Sequence, residues 1–412
     1  MDDDGRALGD GGHARAGGGA GRAQIDGGFR RRVVREAIRD AAGFGRVCRH
    51  LLGVLLVGVG MVRIDHAGRI LQIHFFIHIP QTDQIFIMVV GNVGTMLVGS
   101  TTQHGVSQII SMGIYFPAGI NKGMKVYGVY RGYNGLLNGD VQEMNLRSVS
   151  DIIGFGGTML YTARSEEFAT PAGIKKAADF CRSIDVSGVV VIGGDGSFKG
   201  ARALTNAGIN CIGIPGTIDN DIACSEYTVG FDTAMNTALQ MVDRIRDTAQ
   251  SHDRCSIVEV MGRRCGDIAL QTGIATGATA ILVPEIPYNI ERDVIQRIVN
   301  TQKTGKKHFI IVVAEGVGKV AELANYIENR LGIETRATIL GHVQRGGSPT
   351  LRDRVVASEM GFRAVELLEK NLGNRVVAMK DGRIIDLDIN EALDMQRVFD
   401  EDLYKIAMTI SI

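Results

Sequence analysis

Four short segments carry side chains that could do chemistry together. The first, "PGTIDND", sets Asp219 and Asp221 on either side of Asn220, just after an apolar run of residues 211–214. A single acid after a strand is ordinarily a helix cap. Two acids around an asparagine, behind Pro-Gly-Thr, suit a base acting on a hydroxyl beside a group that orients a metal or a cation. Thr217 and the nearby N–H groups could hold a transferring phosphoryl group. The second, "VVVIGGDGSFKGA", turns on Gly193 and Gly194, which allow a tight turn without a Cβ clash. Gly196 and Ser197 then open a helix whose free N–H groups face the turn, a geometry that binds phosphate. Asp195 inside that turn would repel a bare phosphate, so it makes sense with Mg²⁺ between the two. The third, "SIVEVMGRRCGD", places Met261, Gly262, Arg263 and Arg264 after a strand, where a guanidinium suits an anion. The fourth, "LGHVQRGGSPT", offers His342 and Arg345 in a glycine-bounded loop suited to a phosphate monoester. Each segment alone has a plainer reading: a βα turn, a cap, or a solvated arginine pair. Together they supply a Mg²⁺-nucleotide turn, a carboxylate base and a separate basic pocket. That combination points to a kinase acting on a phosphorylated small molecule. Arg254 and Arg336 stand just before or at the start of strands, and only a neighbouring subunit would bring them into such a site.

The elements that must position these residues are legible from residue 122 onward. "KVYGVY", "SGVVVIGG", "NCIGIPG", "SIVEV", "TAILVPE", "HFIIVVAEG" and "TRATILG" read as strands. Between them, "FDTAMNTALQMVDRIRDTAQ" repeats apolar residues at helical spacing (Ala234, Ala238, Met241, Val242, Ile245, Ala249). Further helices are expected over "CGDIALQTGIAT", around 321–331 and over 352–370. Apolar strands alternating with amphipathic helices indicate an α/β fold, with parallel sheets covered on both faces. Right-handed crossovers put the strand-to-helix turns on the carboxyl edge of each sheet, where ligands bind. The four segments fall there.

The bulk numbers narrow the classes. The chain has 412 residues, 45% hydrophobic and 22% charged, and a formal net charge of +0. A broad basic field for nucleic acid is not expected. The cysteines (Cys48, Cys181, Cys211, Cys224, Cys255, Cys265) show no metal-ligand spacing and read as buried thiols of a reducing compartment. No lysine precedes Lys122, Glu36 is the only earlier glutamate, and the Gly/Ala/Arg-rich start reads as disordered. "LLGVLLVGVGMV" is too short to span a bilayer. We therefore expect a cytoplasmic protein with neither nucleic-acid nor membrane partner.

From about Gly123 to the C-terminus the sequence resembles ATP-dependent 6-phosphofructokinases of the bacterial type. "YRGYNGL", "YTAR", "VVIGGDGS", "PGTIDND", "GFDTA", "EVMGR", "VAEGVG", "ETRATILGHVQRGGSPT" and "ASEMG" occur in the family's order. The resemblance implies two Rossmann-like three-layer domains with mainly parallel sheets. Residues 123–230 with 344–394 would bind ATP, and 231–343 with 395–412 the sugar phosphate. It implies Asp219 as the base on the 1-hydroxyl of fructose 6-phosphate, and Asp195 and Asp221 at Mg²⁺. Arg164, Thr217 and Arg263 would support the transferring group. Tyr133, Arg164, Ser165, Gly194, Asp195, Gly196 and Ser197 would line the ATP site. Thr217, Ile218, Asp219, Met261, Gly262, Arg263, Glu315, His342, Val343, Gln344 and Arg345 would hold the sugar phosphate, with Arg254 and Arg336 from an adjacent subunit. Arg246, Lys306, Lys307 and His308 would hold an ADP or phosphoenolpyruvate effector, and the assembly would be a homotetramer. Small residues at Gly196 and Gly216 leave room for a nucleotide, where pyrophosphate-dependent relatives carry an acid and a lysine.

Two departures stand out. No segment before Gly123 matches the family's GGDxPGMN-type phosphate loop, so the first βα unit of the N-terminal domain is expected to be missing. Residues 1–122 are then expected to be disordered or the product of a mis-read frame. The effector site also departs, with Thr279 and Thr304 where relatives carry glutamate and arginine. Two other readings follow: a catalytically impaired or scaffold subunit, and another GGDG-type enzyme such as a NAD kinase, although NAD kinases lack "PGTIDND" and "GHVQRGGSP".

Overall fold

The protein is described from a computed structural model covering residues 58–64, 70–77, 95–100 and 117–411, the first three as strands only. The chain divides into two units, residues 1–88 and 89–412. In the first, strands β1 (Gly58–Ile64) and β2 (Ile70–Ile77) pair antiparallel from Gly58↔Ile77 onward, with a register shift at Arg63/Ile64. β1 takes up part of the apolar stretch "LLGVLLVGVGMV".

The second unit holds two sheets. The larger contains β3 (Thr95–Ser100), β4 (Lys125–Val129), β5 (Val141–Met144), β6 (Val186–Gly193), β7 (Cys211–Pro215), β12 (Arg375–Lys380) and β13 (Arg383–Asp388). Its order is β13-β12-β7-β6-β3-β4-β5. The central strands run parallel, while β5 and β13 pair antiparallel at the two edges. The smaller sheet contains β8 (Cys255–Val260), β9 (Ala280–Leu282), β10 (Phe309–Ala314) and β11 (Thr335–Ile339), in the order β11-β8-β10-β9, all parallel.

The sequence dictates which strands are central. β7 and β10 are buried at every position, as strands covered on both faces must be. In β6 successive side chains go to opposite faces. Val190 and Ile192 join the core that runs between the two sheets, where they meet Ile212, Ile214, Val258 and Val312. Val189 and Val191 join a separate outer core with Phe198, Ala201 and Leu204. The polar pattern of β5 (VQEM) and β13 (RIIDLD) suits an edge.

One expectation needs correction. The larger sheet does not lack a strand: β3 lies between β6 and β4, parallel to both, with Met96↔Val126 and Leu97↔Val189 in register. "TMLVGS" is a short apolar run that gives β4 and β6 a backbone partner on their inner sides. Without it both would expose unpaired N–H and C=O groups in the middle of the sheet. Residues 101–116, where a phosphate loop would follow, lie outside the described residues, as does most of the stretch expected to be disordered.

The helices pack between and around these sheets. Those that matter for the site are Asp195–Asn206 after β6, Phe231–Ser251 after "PGTIDND", Asp267–Ala275 after β8, and Leu351–Glu369. Among the described residues no helix is long and apolar enough to cross a membrane. Cys181, Cys211, Cys224, Cys255 and Cys265 are all buried and unbridged. Burial pushes the Cys181, Cys211 and Cys255 thiols up to about 12, so they are inert at neutral pH.

Candidate active site

Register brings the chemistry together. Gly193 and Pro215 are paired at the carboxyl ends of β6 and β7, so "GGDGS" and "PGTIDND" leave the sheet side by side. Val260 and Ala314 are likewise paired at the ends of β8 and β10, which sets "MGRR" beside Glu315. A cavity of about 650 Å³ opens at this edge. Its walls include Tyr133, Arg164, Ser165, Gly194, Asp195, Gly196 and Ser197, all seven expected at the nucleotide, joined by Arg263 and Arg345 from the other two segments.

The glycine turn is open where a ligand must approach. A Cβ at Gly196 would meet nothing within 4 Å. Gly200, one turn on, lies under the Tyr133 ring: a Cβ there would come within 2.4 Å of it. Tyr133 is fixed by a hydrogen bond from its hydroxyl to the Ser197 carbonyl (2.7 Å) and by stacking on Phe168, with centroids 3.9 Å apart. Asp195, in the first turn of its helix, pairs with Lys199 at 2.6 Å.

Asp219 is fully buried and Asp221 partly so. Arg263 bridges them: its Nε lies 3.1 Å from Asp219 Oδ2 and its Nη1 3.7 Å from Asp221 Oδ2. Burial pushes the Asp219 carboxyl from 3.8 up to about 6, with Asp221 and Glu315 adding to the rise and Arg263 and Arg345 opposing it. Asp221 is raised too, again by burial first, against the pull of Arg263. Thr217 is buried, and its Oγ1 accepts from the Asp219 N–H at 3.2 Å.

Two residues of this site hold a left-handed backbone without being glycine: Asn220 (φ 51°) and Arg263 (φ 54°). Such conformations persist when their surroundings hold them. For Arg263 the support is Glu315, whose Oε1 accepts the N–H of Gly262 (3.1 Å) and that of Arg263 itself. Gly262 has φ 135°, and a Cβ there would press within 2.4 Å of the Cys265 carbonyl.

Other expected residues fall elsewhere. Gln344 is fully buried, with Oε1 accepting from the Met261 N–H at 2.8 Å, so it ties the two sugar-side segments together. The Ile218 side chain lies in the core. His342 and Val343 are exposed on the turn Gly341–Arg345, outside the cavity walls. Arg254 and Arg336 are not in the cavity. They flank the amino ends of β8 and β11 and share Glu334, at 2.7 Å and 2.6 Å. At about 3.3 Å per residue along β8, Arg254 lies roughly 20 Å from Met261. Arg246, Lys306 and His308 converge at a separate place. Burial, and then Arg246, lowers the Lys306 ammonium; burial, Lys306 and Arg246 lower His308. Arg246 donates to the Thr276 carbonyl, and Lys307 pairs with Asp253 at 3.7 Å.

Sequence reasoning missed Asp353, a fully buried carboxylate. It accepts from Tyr227 (2.5 Å), the Gly230 N–H (2.7 Å), and the Thr233 N–H (2.9 Å) and hydroxyl (2.5 Å). It thereby caps the helix Phe231–Ser251. The local signal was Thr350, three residues earlier, whose Oγ1 caps the helix carrying Asp353; the partners near residue 230 carry no sequence signal.

A glycine turn at a helix N-terminus, a buried raised carboxylate and converging guanidinium groups, brought together from the carboxyl ends of the two sheets, define a phosphotransferase of the α/β class. A family model described as Phosphofructokinase matches residues 98–368. The ATP-dependent 6-phosphofructokinase of Clostridium botulinum is 56% identical over 293 residues, covering 71% of this chain and 92% of that protein. Among solved structures, phosphofructokinase from Saccharomyces cerevisiae aligns with TM-score 0.68 and 29% identity, covering 77% of this chain. This chain spans 46% of that yeast chain. A pyrophosphate-dependent phosphofructokinase from Marinobacter aquaeolei shares the fold (TM-score 0.65, 22% identity, 76% and 86% of the two chains). This chain belongs to the phosphofructokinase family. The family model's match begins at residue 98, inside β3.

Proposed function

We infer that this protein transfers the γ-phosphoryl group of ATP to the 1-hydroxyl of fructose 6-phosphate, giving fructose 1,6-bisphosphate and ADP, a glycolytic reaction. The observation that carries this reading is Asp219, buried, raised to about 6 and bridged by Arg263 to Asp221, next to an open glycine turn. A carboxylate tuned toward neutral pH is a better proton acceptor than an ordinary one. Asp219 takes the proton of the attacking hydroxyl. Arg263 and Arg164 offset charge on the transferring group. Glu315 holds the strained backbone of Arg263, and Gln344 fixes Met261 beside it.

The residues present fit Mg²⁺. Asp221 Oδ1 is buried with no hydrogen-bond partner among the described residues, and Asp195 is close enough to raise its pKa. Among the described residues no group of three or more His, Cys, Asp or Glu could enclose a metal. Mg²⁺ is usually bound through one or two carboxylates together with substrate phosphates. Asp195 and Asp221 would hold it, and when bound it neutralises phosphate charge. The pairing of Arg254 and Arg336 around Glu334, far from the cavity, supports their service to a neighbouring subunit in a homotetramer. The convergent Arg246 and Lys306, with the His308 imidazole as a donor and Lys307 nearby, support an anionic effector such as ADP or phosphoenolpyruvate there. We propose the cytoplasm as its place of action. The scaffold and NAD-kinase readings gain no support from the site.

Purified full-length protein, assayed for ADP formation with ATP, Mg²⁺ and fructose 6-phosphate, tests the reading. Turnover dependent on both substrates is expected. No turnover with ATP, or turnover with pyrophosphate alone, would overturn it.

A further inference from the structure

We propose that Arg397, near the end of the chain, is a positioning residue that holds the loop carrying Asp219 and Asp221. Its guanidinium forks between two carboxylates: one arm binds Asp267 Oδ1 and the other Glu285 Oε1, the latter at 3.0 Å. Asp267 uses its second oxygen, Oδ2, to accept the side-chain N–H of Asn220 at 2.8 Å. Glu285 Oε1 also accepts the Gly266 N–H at 2.9 Å, next to Cys265, whose thiol faces the Asn220 carbonyl at 3.8 Å. Asn220 is thus gripped at its amide and at its backbone, and the grip leads back to Arg397.

The grip has something to do. Asn220 sits at φ 51°, in the left-handed region that most side chains avoid and that asparagine enters more readily than they do, so its tethers decide whether it stays there. The residue on either side is an acid that Arg263 bridges. If Asn220 relaxed to an ordinary conformation, the two carboxylates would leave their common approach to Arg263. Arg397, Asp267 and Glu285 are all mostly shielded, with side-chain exposures of 23%, 14% and 17%. Forked, charge-assisted bonds in such surroundings are strong and directional. Removing Arg397 leaves two shielded carboxylates without their cation and frees Asp267 to move away from Asn220. An error of about 1 Å in a reacting group can cost on the order of a hundredfold in rate.

The kinetic half of the test rests on the phosphotransfer reading; the exchange half does not. Four proteins are compared: wild type, Arg397→Ala, Asn220→Gly and the double variant. Glycine accepts the left-handed backbone without strain but has no amide to tether. Arg397→Ala is expected to speed amide hydrogen exchange in residues 216–222 and to lower kcat about tenfold, with both KM values within about twofold. The double variant is expected to be no slower than Asn220→Gly, because both act through one chain of contacts. Unchanged exchange in residues 216–222 overturns the proposal, as does a kcat loss that multiplies with that of Asn220→Gly. If wild type shows no turnover, the functional reading falls while exchange still decides the role of Arg397. If Arg397→Ala does not fold, Arg397→Lys keeps the charge but not the fork. Faster loop exchange in it supports the proposal, and wild-type exchange overturns it.

Discussion

Asp219 and Asp353 are both 0% exposed, yet their surroundings ask different things of them. Asp353 is wrapped by four donors from Tyr227, Gly230 and Thr233. Burial leaves it raised on balance, and those hydrogen bonds oppose the rise. Asp219 is raised by burial and raised again by Asp221 and Glu315, with the guanidinium groups of Arg263 and Arg345 opposing. One carboxylate is fastened into the fold; the other is kept where its proton affinity is useful. Burial alone does not mark a catalytic acid: the charge balance around it does.

That contrast can be broken at four points, from the largest expected effect to the smallest. Asp219→Asn should lower kcat about a thousandfold without loss of thermal stability. The sign follows from the raised carboxyl. Its favourable contribution to folding is full below about 3.8 and lost as pH rises through about 6. At pH 8 the ionised acid is therefore a burden that asparagine removes, and the unfolding midpoint should hold or rise. Asp353→Ala should do the reverse. It should cost about 3 kcal/mol of stability by denaturant titration, since it strands buried donors, and leave kcat of the folded fraction within severalfold. Next, Arg263→Leu should reduce kcat about a hundredfold and move the acid limb of kcat/KM to higher pH, because Arg263 is the largest influence holding Asp219 down. A limb that stays put would mean that the guanidinium does not set the base. Last, Lys199→Ala should change kcat less than about twofold, because its pair with Asp195 is exposed.

The sequence made one half of this contrast visible and hid the other. Asp219 stands in a contiguous motif, and a parallel sheet guarantees that such motifs meet at the carboxyl edge. The glycine turn and Arg263 were legible for the same reason, while Tyr133 and Arg164 were placed by the family resemblance. The alternation of apolar strands and helices from residue 122 onward likewise announced both sheets. Asp353 and Arg397 act across gaps of more than a hundred residues, and no local pattern encodes their partners. Gln344 and Glu315 also brace Met261, Gly262 and Arg263 by accepting their backbone N–H groups, a role that no local pattern encodes. β3 was passed over because its six residues lack the acid and Pro-Gly expected after it, although its pairing needs only an apolar run.

The order of strands in the larger sheet also sets a timetable for synthesis. β7 ends at Pro215, but its neighbour β12 does not begin until Arg375. All four strands of the smaller sheet are made in between. While the ribosome works through them, β7 has β6 on one side and an unpaired, wholly buried-type apolar edge on the other. A nascent chain in that state invites wrong pairing. The antiparallel pair β12–β13 then arrives late and closes the exposed flank. Codon-level slowing within residues 216–374, or loss of the C-terminal strands, should therefore harm the yield of folded protein more than it harms the activity of each molecule that completes the sheet.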